Sequence, residues 1–168
     1  MTAPSLIEKF NLRLPVVQAP MAGGITTPEL VAAVGKAGAL GFIGAGEMSP
    51  DVIFEHAAAV RQRSDKPFGI NLFVHNFREQ PNQIADPIPR WLADIYHKRG
   101  QPLPKQQMPM PVFEDQLEAV LSVSPAVASF AFGLLKPEHI RALRQRNIAI
   151  VGTANHVDEA KHLSLIHI

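Results

Sequence analysis

LPVVQAPMAGGITTPEL, residues 14–30, contains a strand, a loop and the start of a helix. The apolar, β-branched run over residues 14–18 has the composition of a buried strand. Pro20 closes it, because proline has no N–H to give to a ladder. Gly23 and Gly24 let the chain turn. Thr27, Pro28 and Glu29 then open a helix, with a hydroxyl at the N-cap, a proline at the first helical position and a carboxylate against the positive end of the dipole. Leu30, Val31, Val34 and Ala37 give that helix one apolar face, and Gly38 suits its C-terminal end.

The same unit recurs along the chain. Residues 40–43 predict a second strand, closed by Gly44-Ala45-Gly46. Ser49-Pro50-Asp51 repeats the cap, and that helix runs to Arg63. Residues 68–73, 127–132 and 148–153 predict further strands, with helices over residues 112–121 and 137–146. Asn155 is the expected cap of a last helix, with Asp158 and Glu159 in its first turn. Apolar strands alternating with helices mean βα units and a parallel sheet covered by helices. Two architectures satisfy that pattern: a doubly wound sheet and a (β/α)8 barrel. A barrel needs eight strands and typically about 250 residues. Five predicted strands in 168 residues would be part of one.

Two segments stand apart. Residues 74–110 carry six prolines and have room for a short helix over residues 91–98. So long a connection reads as an inserted functional or covering segment. Residues 163–168, LSLIHI, break the helical pattern of residues 157–162 and match one reading frame of a transposon adapter used in sequencing libraries. The expectation is that residues 1–162 are the native part of the domain, that 163–168 are a non-native tail, and that different residues follow His162 in the native protein. An ordinary amphipathic tail is the alternative.

Composition narrows the function classes. The chain is 46% hydrophobic and 18% charged, which is globular. A net charge of +1 gives no global steering towards nucleic acid or anionic lipid. The most apolar run, residues 119–135, is broken by Ser122, Ser124, Pro125 and Ser129, and falls short of the ~20 residues of a membrane span. The N-terminus lacks a basic start followed by an apolar core, so no signal peptide is expected. Cysteine is absent, which excludes disulfides and thiolate chemistry and fits a cytoplasmic enzyme.

The familiar motifs are missing. Gly44-Ala45-Gly46 is not a dinucleotide fingerprint, because Ser49 stands where a third glycine is needed. The seven histidines show no zinc-helix spacing. His75, just past the third strand, is the one nearest the functional end of the sheet. Arg141, Arg144, Arg146 and Lys136 read as a solvated helix face. Asn71 is a different matter, since a buried amide in an apolar strand needs partners. Those are either neighbouring backbone or a ligand at the C-terminal mouth of the sheet. Ala19-Pro20-Met21 and the glycines after it lie at the same mouth. They form either a plain flexible loop or a small-residue surface for a flat ligand, with the Met21 N–H as a fixed donor.

Taken together, LPVVQAPMAGG, AGALGFIGAG, KPFGINLFV, SFAFG and VGTANHVDEA resemble the nitronate monooxygenase family, formerly the 2-nitropropane dioxygenases. The likeness runs to about residue 162, and residues 74–110 resemble the insertion of its class I members. The resemblance implies a TIM barrel, here its first five βα units, holding FMN non-covalently at the C-terminal face. It implies oxidation of alkyl nitronates such as propionate 3-nitronate by O2, to a carbonyl compound and nitrite. Ala19, Pro20 and Met21 would line the flavin ring, Asn71 would meet its polar edge or the substrate, and Ser129 and Thr153 would face the cofactor. The family's active-site histidine lies after the fifth βα unit, and His156 and His162 come too early to be it. The phosphate-binding loops after strands seven and eight have no counterpart here. A flavin-dependent enoyl-acyl-carrier-protein reductase shares the barrel and the strand-one motif and is the alternative enzyme. A non-catalytic fragment is the expectation for these residues alone.

Overall fold

The computed structural model describes residues 5–74, 88–103 and 111–165. Among these, the elements follow one another as α1 (Leu6–Phe10), β1 (Val17–Gln18), α2 (Pro28–Lys36), β2 (Leu40–Gly44), α3 (Pro50–Arg63), β3 (Phe68–Phe73), α4 (Arg90–Lys98), α5 (Phe113–Val123), β4 (Val127–Ala131), α6 (Pro137–Gln145), β5 (Ala149–Gly152) and α7 (Val157–Leu165). His75 and most of the Pro-rich segment lie outside the described residues.

All five strands are parallel, in the order β1-β2-β3-β4-β5. This order decides between the two architectures. A doubly wound sheet reverses direction at a switch point and takes helices on both faces. Here every crossover steps the same way. Right-handed crossovers then put α2, α3, α5 and α6 on one face and leave the other as the inner wall of a barrel. The chain forms five βα units of the TIM-barrel fold.

Burial follows this division. Ile43, Ile70, Leu72, Ala128 and Phe130 point outward and pack with Val31 of α2, Ile53, Ala57 and Val60 of α3, Leu117 and Val120 of α5, and Ile140 and Leu143 of α6. The intervening strand positions point inward. Leu40, Phe42 and Val127 form a second cluster there, joined by Phe10, Leu12, Ala149 and Val151. α1 is held by a reciprocal cap: Ser5 accepts from the Glu8 N–H while the Glu8 carboxylate accepts from the Ser5 N–H. It brings Phe10 onto the N-terminal end of the inner wall.

Several boundaries differ from expectation. β1 is only Val17–Gln18 because Pro15 has no N–H and the amides of Arg13 and Leu14 both donate to Gly38 O. The first residue of the expected fifth strand, Ile148, donates instead to Leu143 O at the end of α6. Asn155 is not the cap of α7. His156 precedes the helix, and its Nδ1 accepts from the Glu159 N–H at 3.3 Å, while the Glu159 carboxylate accepts from the Asn155 N–H at 2.7 Å. The helical pattern does not stop at His162, because α7 continues to Leu165 with Leu163 buried.

Candidate functional site

Strand register brings the expected residues into one row. Gly44 pairs with Asn71, Asn71 with Ser129, and Ser129 with Val151. The row crosses the inner wall near its C-terminal end. Asn71 and Ser129 are both buried, and the Asn71 Nδ2 donates to the Ser129 hydroxyl at 3.0 Å and to the Ser129 carbonyl at 3.2 Å. The amide that a buried strand position demanded is thus held by the neighbouring strand. Thr153 is exposed, two residues beyond Val151, and its N–H donates to Phe130 O at 3.0 Å, which extends the ladder.

The loop after β1 lies over this row. A Cβ on Gly44 would come within 2.6 Å of the Met21 carbonyl oxygen, so the loop backbone rests directly on β2 and only glycine fits beneath it. Gly23 and Gly24 have φ of +77° and +82°, the left-handed region that glycine enters without strain. Thr26 clamps the turn. It is fully buried, and its hydroxyl accepts from the Met21 N–H at 2.8 Å and donates to the Met21 carbonyl at 2.6 Å. The Met21 N–H is therefore engaged within the chain, where the sequence suggested a fixed donor to a ligand. Gln18 fixes the other end of the loop: its side chain accepts from the Phe42 N–H at 3.2 Å and donates to the Ala19 carbonyl. Met21 itself is 37% exposed.

Three contributors were not evident from sequence. Thr26 stands beside a second threonine that fully explains the helix cap, so nothing marked it as a clamp. Gln116 is a polar residue on the buried face of α5, and that anomaly was a readable signal. Its amide donates to the carbonyls of Ala45, Gly46 and Met48 at 3.0, 3.3 and 2.8 Å, which pins the loop after β2. Phe132, after β4, has φ of +67° and is 59% exposed. Its ring meets that of Phe73 edge-on, centroids 4.9 Å apart. A bulky residue just before a glycine at a strand end was the only hint.

The site contains a paired amide and hydroxyl, a clamped small-residue loop and aromatic rings. Among the described residues no group of three or more His, Cys, Asp or Glu is placed to hold a metal ion, and no helix is long and apolar enough to cross a membrane. His139 of α6, on the helix side, is a perturbed base. Burial, and then the Lys136 charge, push its imidazole below the usual histidine range, and its buried Nδ1 has no hydrogen-bond partner. A floor of this kind is suited to holding a flat ligand.

The chain is similar to known proteins. A probable nitronate monooxygenase from Bacillus subtilis (strain 168) is 34% identical over 161 residues, which are 92% of this chain and 44% of that protein. A nitronate monooxygenase from Paraburkholderia phytofirmans is 33% identical, over 93% of this chain and 43% of its own. The chain thus spans less than half the length of these relatives. Nitroalkane oxidase from Streptomyces ansochromogenes superposes with a TM-score of 0.78 at 29% identity, over 93% of this chain and 44% of that one. FabK from Thermotoga maritima superposes at 0.68 with 22% identity, a likeness of fold alone. Residues 4–166 match the family described as nitronate monooxygenase, and the chain belongs to that family.

Proposed function

We propose that the protein carrying this chain is an FMN enzyme that oxidises alkyl nitronates, propionate 3-nitronate among them, with O2 to a carbonyl compound and nitrite. The observation that carries the reading is the clamped Ala19-Pro20-Met21 loop seated on Gly44, beside the Asn71–Ser129 pair. The Ala19-Pro20-Met21 loop is small-sided and carries no reactive side chain, and suits the face of a flavin. FMN, when bound, supplies the redox chemistry between nitronate and O2.

The chain's own residues do the holding. Ala19, Pro20 and Met21 line the ring, while Thr26 keeps their backbone in place. Asn71, its Nδ2 given to Ser129, keeps its Oδ1 as an acceptor for an N–H at the polar edge of the ring or a donor on the substrate. Thr153 faces the cofactor from the end of β5. Binding of the FMN phosphate and action of the family histidine belong to other segments of the full-length protein, and these 168 residues alone are inactive in this reading. Nitrite release and O2 uptake from propionate 3-nitronate by the full-length protein test it. Turnover no faster than the uncatalysed reaction rejects it, and NADH or NADPH oxidation driven by an enoyl thioester replaces it with the reductase reading.

A further inference from the structure

We propose that Phe132 sets the size of the organic arm that the site accepts, its ring forming with Phe73 an aromatic side wall for the substrate. This rests on the nitronate reading above. Val127 and Ser129 of β4 face the inner wall, whereas Ala128 and Phe130 face the helices. Continued regularly, Ala131 would face inward and Phe132 outward, next to Phe130 in the helix-side core. It does not. At φ +67° the backbone of Phe132 leaves the strand conformation, and the ring stands edge-on to Phe73 at 4.9 Å and 68°.

Phe73 fixes where that is. It lies two residues beyond Asn71 on the same face of β3 and pairs in register with Ala131. A Cβ on Gly46 would overlap its ring, so Phe73 extends across the end of β2. The aromatic pair therefore lies one layer, about 7 Å, towards the mouth from the Asn71–Ser129 hydrogen bond.

Two features argue against a packing role for Phe132. It is 59% exposed, so it buries little apolar surface. It also occupies a conformation that strains a bulky side chain, although glycine is the next residue. Gly133 is used for another purpose: a Cβ there would come within 2.6 Å of Val74 O. Stability alone would favour a glycine at 132 as well. A strained, exposed ring beside Phe73 at this end of the sheet is placed for contact with a ligand there. A phenyl ring offers no hydrogen bond to nitronate oxygens. It offers dispersion contact to an alkyl arm.

The test uses the full-length, flavin-loaded protein, its F132A, F132W and F132G variants, and ethyl-, butyl- and hexylnitronate as probes. One methylene in an apolar pocket is worth roughly 10- to 200-fold in discrimination. F132A is expected to move the hexyl-to-ethyl ratio of kcat/KM at least tenfold towards the longer substrate, and F132W to move it the other way. F132G should unfold in denaturant at the parent's midpoint or above it, because its strain is lifted. An unchanged ratio in an active parent overturns the inference and leaves the nitronate reading standing. A clearly lowered F132G midpoint overturns it by making Phe132 a packing residue. Loss of flavin absorbance from F132A overturns it by assigning the ring to the cofactor. A parent inactive on all three probes removes the nitronate reading itself, and the inference with it.

Discussion

Thr26 and Thr27 are neighbours with different tasks, and substitution separates them. Thr27 caps α2, its hydroxyl accepting from the Leu30 N–H at 3.3 Å. Thr26 closes the loop by satisfying both backbone groups of Met21. Thr26→Val keeps the shape and removes the hydroxyl, leaving those groups without their partner, at a cost of about 1–3 kcal/mol. Thr27→Ala should cost about 1 kcal/mol. Only the first should weaken flavin binding by the full-length protein, since only the first frees the wall proposed to face the ring. Denaturant unfolding and flavin titration of the two variants check this, and equal flavin affinities would refute the clamp. Gly44→Ala tests the same wall from below. Its methyl group would meet the Met21 backbone at 2.6 Å and displace the loop, with an overpacking cost of about 1–3 kcal/mol and loss of bound flavin. Thr27 was legible because capping is a local rule. Thr26 was not, because its partner is set by the path of a loop that no spacing rule describes.

Among the elements, α5 and α6 act on the site from behind. α5 buries Gln116 among Phe113, Leu117 and Val120, and its amide holds three carbonyls of the loop after β2. Gln116→Leu fits the apolar face but leaves those carbonyls bare, so a loss of about 1–3 kcal/mol is expected in denaturant unfolding. A variant as stable as the parent would show that the loop holds itself. α6 carries His139, whose ring packs 5.5 Å from that of Phe113 and is surrounded by Lys136 and Glu138 of its own helix region and Glu114 of α5. Burial, then Lys136, lower its pKa in the folded state. The unfolded chain therefore binds the proton more readily, near the ordinary histidine value of about 6.5. Stability is at its full value above that pH and falls as the pH drops through it towards the lower folded value. His139→Gln should flatten this fall between pH 7.5 and 5.5 in unfolding midpoints, and an unchanged slope would assign it to other groups. Element types were readable from caps and apolar periodicity. The ends of β1 and α7 were not, because the competing hydrogen bonds of Gly38, His156 and Glu159 decide them.

At the scale of the molecule, alternating apolar strands and helices announced a parallel sheet, but the pattern is common to both α/β architectures. Strand order separates them, and order depends on which strands meet in space, which periodicity along one chain does not encode. The five-strand order also leaves a consequence that the short motifs do not show. Among the described residues, β1 and β5 pair on one side only. Val16 and Val17 are 53% and 52% exposed beside one edge, while Ile150, Val151 and Gly152 are only half-buried at the other. Unpaired parallel edges with apolar side chains are templates for further strand addition. The 168 residues produced alone should therefore self-associate with rising concentration. They should also fail to retain stoichiometric flavin, because the Met21 loop and Asn71 supply one wall and no phosphate cradle. Light scattering across a concentration series, with a flavin absorbance spectrum of each fraction, measures both. A yellow, fully loaded monomer at all concentrations would mean that five βα units make a self-sufficient site, and the assignment of phosphate binding to other segments would fall. A colourless, associating chain is the outcome that the open order of the sheet requires.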